Sequence, residues 1–124
     1  MDILITPQSE NPIYRQIEDS IRAQILNRKL KEDSPLPSIR QLAVDLHVSV
    51  ITVKSAYEEL EGDGFIYSFP GKGFYVSPMS EKQVSLIRRK IAEESITKQI
   101  TYLKSLGISE EEIRTILNEK NNEL

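Results

Sequence analysis

SIRQLAVDLHVSVITVKSAY, residues 38–57, decides the fold: it reads as two short amphipathic helices joined by a tight turn, the pattern of a helix-turn-helix. A small Ala43 lets the second helix pack closely, His47 takes the turn, and Val53 follows as the inward anchor. Ser38 caps the first of the two helices, with Gln41 in the capping-box position, and Ile39, Leu42, Ala43 and Leu46 form its buried stripe. A left-handed residue is wanted at the turn, usually glycine; histidine is one of the few others enriched there, at a modest strain. Ser49 caps the next helix, whose Val53, Ala56, Tyr57 and Leu60 face inward while Val50, Thr52 and Lys54 stay outside. Gly62 and Gly64 close that helix.

Working upstream, residues 1–10 form an N-terminal arm in which Asp2–Thr6 can lie extended until Pro7 ends any ladder. Asn11 as N-cap and Pro12 at the first helical position start a helix to about Arg28, with Ile13, Ile17, Ile21 and Ile25 recurring along it. Asn27, Arg28 and Lys29 suit its last turn, and Ser34, Pro35 and Pro37 force a loop. Downstream, Phe65–Ser68 and Phe74–Val76 are two β-prone runs around a glycine-rich tip, a two-stranded wing over residues 65–76. Gly71 and Gly73 give the backbone close access to a phosphate, and Lys72 between them is aimed outward.

Pro78 and Met79 end a winged helix-turn-helix domain over residues 11–78. Ser80 with Gln83 starts a new helix of about twenty-five residues, on which Val84, Ile87, Ile91, Ile96, Ile100 and Leu103 trace an apolar stripe. Gly107 and Ile108 stop it, Ser109 with Glu112 caps a last helix carrying Ile113, Ile116 and Leu117, and residues 121–124 fray. The stripe is longer than one small winged helix can cover, so residues 79–120 are expected to pair two chains. The fold class is therefore mainly α with a small β-wing: a winged helix-turn-helix domain followed by a two-helix C-terminal dimerisation region.

The composition narrows the function. With 39% hydrophobic and 28% charged residues, and no apolar run near the length of a bilayer span, membrane insertion is not expected. The first residues have no basic start and no small-residue cleavage site, so a cytoplasmic protein is expected. There is no cysteine and the single histidine is His47, which leaves little catalytic or zinc-binding material. No cofactor and no metal is expected; the acids Glu110, Glu111 and Glu112 suit the first turn of a helix. A net charge of −3 weighs against nucleic acid, but its distribution weighs for it. From Leu46 to Tyr57 there is one cation, Lys54, and no acid, whereas Glu58, Glu59, Glu61 and Asp63 crowd just beyond. A helix entering a groove by its N-terminal half presents the cation and withdraws the acids. The competing reading is a winged-helix protein-interaction adaptor that does not bind DNA.

The runs Pro35–Ala43, Val48–Lys54, Tyr57–Ile66 and Gly71–Val76 together resemble the GntR family of bacterial transcription regulators. Asn11–Ile17 and the short helical C-terminus resemble its YtrA-type branch. The resemblance implies a homodimeric repressor on an inverted-repeat operator in double-stranded DNA, commonly that of its own operon, which in this branch often encodes an ABC transporter. It implies that Ser38 and Arg40 meet the phosphate backbone, that Ser49, Thr52 and Lys54 are recognition-helix contacts, and that Gly71 and Lys72 form the wing tip. Two residues depart from the pattern. Val50 stands where many members carry arginine, which argues against direct guanine readout there and leaves open what replaces it, a thymine methyl contact being one alternative. His47 replaces the usual turn glycine, at a cost in stability rather than function. Longer members carry a C-terminal effector domain, whereas about forty-six residues follow Pro78 here, too few to enclose a pocket. Any small-molecule effector would bind between subunits or beside the winged domain.

Overall fold

The computed structural model describes residues 1–124 and divides into two compact units, Met1–Ser80 and Glu81–Leu124. The first unit contains α1 (Ile13–Leu26), α2 (Ile39–Leu46), α3 (Val50–Gly62), β1 (Ile66–Phe69) and β2 (Gly73–Val76). Ile17, Ile21 and Ile25 of α1 are fully or almost fully buried, as are Val53, Ala56, Tyr57 and Leu60 of α3. These two periodic faces meet Leu42 and Ala43 of α2 and Phe65, Ile66 and Val76 around the hairpin, all buried, in one core.

The ends of the elements follow their cap chemistry. Ser38 Oγ accepts from the Gln41 N–H at 3.1 Å and Ser49 Oγ from the Thr52 N–H at 3.1 Å, each meeting a donor the helix leaves orphaned. The Gln41 amide does not complete a reciprocal box; it donates to Asp45 Oδ1 at 2.7 Å instead. His47 adopts φ 56°, ψ 44°, the left-handed turn expected of it.

Helix α1 differs from expectation at both ends. Pro12, not Asn11, is its N-cap, with no side-chain cap, because the Pro12 carbonyl already accepts from the Arg15 and Gln16 N–H groups, both at 3.1 Å. The helix stops at Leu26, and Arg28 sits beyond it at φ 65° rather than in the last turn. The Leu30 N–H closes this end on the Gln24 carbonyl at 3.0 Å.

The wing pairs antiparallel with Ile66 opposite Val76 and Phe69 opposite Gly73, one residue longer at the tip than the sequence suggests. The supposed loop before α2 joins it. Asp33 N–H donates to the Val76 carbonyl at 2.8 Å, Val76 N–H to Ser34 at 3.0 Å, and Leu36 N–H to Phe74 at 2.9 Å, so 33–36 lines the far side of β2. Pro35 lacks an N–H but sits at this outer edge, where none is required. The Tyr57 hydroxyl donates to the Pro37 carbonyl at 2.7 Å and its ring meets Phe74 edge-on at 5.0 Å. Helix α3 is thereby locked to the strand that feeds α2.

The second unit contains α4 (Glu81–Ser105) and α5 (Glu110–Glu123). Gly107 (φ 85°) turns the chain, the Ile108 N–H reaching back to Leu103 and the Gly107 N–H to Lys104, a Schellman motif. Ser109 Oγ accepts from the Glu112 N–H at 3.2 Å. Lys104 donates to Glu110 at 2.8 Å and holds that carboxyl below its usual range. The expected fraying over 121–124 is corrected: α5 runs to Glu123, its last turn carrying a Lys120–Glu123 pair at 3.3 Å. No helix of the chain is long and apolar enough to cross a membrane.

Candidate nucleic-acid interface

The site is built on the start of α3. Ser49 is exposed and fixes the first turn, and its hydroxyl lies 2.7 Å from the Thr52 hydroxyl, so the two are one hydrogen-bonded cap. Val50 is 45% exposed, and Lys54 is exposed one turn further on. Lys54 Nζ lies 3.8 Å from Glu58 Oε1, a pair between two exposed side chains and so of little strength. The acids expected to withdraw from the reading end therefore begin one turn beyond it and draw the only cation of that face toward themselves.

Ile51 was not among the expected contacts, yet it is 75% exposed. It lies two residues before the inward Val53, about 200° round the helix, and that phase is the signal by which the sequence could have given it. Val44 of α2, 67% exposed, likewise points away from the core. Of the two residues expected to meet phosphate, Ser38 is exposed with its hydroxyl committed to the cap, and Arg40 is exposed on the first turn of α2.

At the wing tip the Lys72 N–H donates to the Phe69 carbonyl at 2.9 Å, closing a turn with Gly71 at φ 74° and Gly73 at φ 88°. Those left-handed values are why glycine stands at both places. Lys72 is exposed between them, and the Tyr75 hydroxyl donates to its carbonyl at 3.0 Å. Tyr67 stacks on Tyr75 with centroids 5.6 Å apart and donates to Asp33 Oδ1 at 2.8 Å, which stiffens the hairpin behind the tip. From Gly64 to Ser80 there is no acidic residue.

Behind this face lies a buried carboxylate that the sequence did not single out. Glu18 is fully buried; Oε1 is 3.3 Å from Arg22, and Oε2 has no partner. Burial raises its carboxyl above the ordinary value, and the nearby Arg15 and Arg22 guanidiniums oppose that only in part. Arg22 also meets Asp19 at 2.8 Å and Asp63 at 3.9 Å and lies 5.3 Å from the centre of the Phe65 ring, tying α1 to the end of α3.

In the second unit the expected contact residues divide. Val84 and Ile113 are buried and so are withdrawn from any partner; Ile87, Ile100 and Leu103 are half-buried; Ile91, Ile96, Ile116 and Leu117 are exposed. The stripe is not one face. Its spacing slips by one residue between Ile91 and Ala92, which turns the second half by about 100°, and Ile100 on that half lines a cleft with Ile113 and Leu117 of α5. Leu86, Tyr102 and Leu106, not expected, add to the exposed apolar surface.

The sequence profile described as "Bacterial regulatory proteins, gntR family" matches residues 13–76. The uncharacterized HTH-type transcriptional regulator YhcF of Bacillus subtilis is 30% identical over 106 residues, 86% of this chain and 87% of that protein. The HTH-type transcriptional repressor YtrA of the same organism is 33% identical over 96 residues, 73% of this chain and 74% of its own length. A GntR family transcriptional regulator from Listeria monocytogenes superposes with TM-score 0.76 at 29% identity, covering 90% of this chain and 97% of the other. The DNA-binding domain of AraR, solved in complex with operator ORX1, superposes with TM-score 0.55 at 30% identity over 62% of this chain and 96% of the other.

Proposed function

The chain belongs to the GntR family of bacterial regulatory proteins, in its YtrA-like branch, and from that premise we propose that it is a homodimeric repressor of an inverted-repeat operator. It is a DNA-binding regulator and not an enzyme. Two chains pair through the apolar surface of α4 and α5 that includes Ile91, Ile96, Ile116 and Leu117. The pairing sets two α3 helices in successive major grooves, about 34 Å apart. Arg40 and Lys72 meet phosphates, with Ser38 and the Gly71 and Gly73 backbone beside them; Ser49, Val50, Thr52 and Lys54 face the bases. Repression follows from occluding a promoter, in the first instance that of its own operon, where the resemblance points to an ABC transporter.

The observation that carries this reading is the capped, acid-free start of α3 with its exposed side chains, backed by an acid-free wing. Few cations face the DNA, so the salt dependence is shallower than that of strongly basic binders. The test is fluorescence anisotropy on the upstream promoter DNA against a scrambled duplex of equal length, at two salt concentrations. Sequence-dependent binding supports the reading. Equal weak binding to both, with no fragment enriched in a genome-wide selection, leaves the protein-interaction adaptor. Lys54→Ala lowers specific binding by about 1–3 kcal/mol if Lys54 reads a base, and weakens all duplexes alike if it meets phosphate.

A further inference from the structure

On the reading turn of α3 the polar groups are largely committed to the protein itself. Ser49 Oγ accepts from the Thr52 N–H at 3.1 Å and lies 2.7 Å from the Thr52 hydroxyl, and Lys54 is drawn to Glu58 at 3.8 Å. What stands uncommitted is aliphatic: Ile51 at 75% exposure and Val50 at 45%, the first two residues of the helix. Elsewhere on α3 the large aliphatic side chains, Val53 and Leu60, are fully buried, so these two break the rule the rest of the helix obeys.

We infer that Val50 and Ile51 form a methyl-reading pair that selects thymine in each operator half-site, an inference that rests on the DNA-binding reading above. In the major groove thymine alone among the four bases carries a methyl group, so an aliphatic contact there separates T·A from C·G without a hydrogen bond. Both side chains are β-branched and held near one rotamer in a helix, so little side-chain freedom is lost on contact. Ile51 shares its face with Lys54 three residues on, which places the methyl contact beside the one cation of the reading helix. The chain has no acid from Leu46 to Tyr57 to repel the phosphates flanking such a contact. Because Val50 and Ile51 carry no polar side-chain atom, discrimination at this step is apolar and weakly dependent on salt, unlike the contacts of Arg40 and Lys72.

The experiment takes the full chain and selects from duplexes with a random core, then compares the enriched duplex with copies in which single thymines of the half-site are replaced by uracil, which lacks only the methyl. The expected result is a loss of about fourfold for each contacted thymine, the size of one buried methyl group. Each of these losses disappears in one of two variants, Val50→Ala or Ile51→Ala, that melt like the parent. Enriched duplexes that bind equally with uracil overturn the methyl-reading pair and leave the DNA reader intact. Uracil losses that persist undiminished in both variants overturn it too, by assigning the methyl contact to other residues. No enrichment at all overturns the DNA reader, and this inference with it.

Discussion

In the winged unit the inward residues of α1 and α3, from Ile17 to Leu60, are sealed, whereas in the helical unit only Val84 and Ile113 are buried and Leu86, Ile91, Ile96, Tyr102, Leu106, Ile116 and Leu117 stand in solvent. Both units are capped by serine, turned by left-handed residues and lined with isoleucine, so local sequence chemistry does not separate them. The number of faces each element must satisfy does. Helices α1, α2 and α3 and the hairpin close on one another; two helices alone cannot, and the apolar surface left over is the one assigned to the proposed pairing of two chains.

The largest effect is expected from opening the sealed unit. Tyr57→Ala removes a fully buried ring, its edge contact with Phe74 and its bond to Pro37, and is expected to cost about 3–5 kcal/mol, read by urea unfolding. The counterpart is Ile96→Asp, on an exposed face of α4. It is expected to weaken self-association by roughly a hundredfold or more, since a charge would be buried unpaired in the pairing surface, while the melting of the winged unit stays put. Smaller effects sharpen the division. Ser49→Ala removes the cap of α3 and costs about 1 kcal/mol, with faster hydrogen exchange at the Thr52 amide and no change in self-association.

The smallest effect concerns Glu18. Its carboxyl is raised in the fold above the usual 4.5, so the folded chain holds that proton more tightly than the unfolded chain. The fold bears no penalty below the usual value and accrues one as the pH rises through the raised value. Glu18→Gln is therefore expected to stabilise the winged unit at neutral pH by on the order of 1 kcal/mol, because it removes a buried charge whose Oε2 has no partner. The gain disappears in acid below 4.5, which thermal melts across pH would show.

What the sequence made legible was chemistry within a few residues. The serine caps at Ser38, Ser49 and Ser109, the left-handed His47 and the Gly107 stop stand where their types demand. What it hid depended on distant chain. The pairing of Asp33–Leu36 with β2 was hidden because Pro35 and Pro37 mark a loop locally and only Phe74 and Val76 show otherwise. The burial of Glu18 was hidden because a carboxylate one residue after Ile17 marks a solvated edge, and its partner Arg22 is itself held by Asp63 and Phe65, far along the chain. Ile51 was readable, since its phase on α3 opposes Val53, but an isoleucine in an apolar run is first counted as core. The helical stripe was legible as apolar; its division into two faces turns on the one-residue slip after Ile91.

The division of labour between a reading unit and a pairing unit is tested most directly by sedimentation of the full chain with a selected operator duplex, for the parent and for Ile96→Asp. The account predicts a complex of two chains on one duplex for the parent, and one chain per half-site at much reduced affinity for the variant. Tight binding of a single parent chain to the whole duplex, or an unchanged two-chain complex in Ile96→Asp, would contradict it.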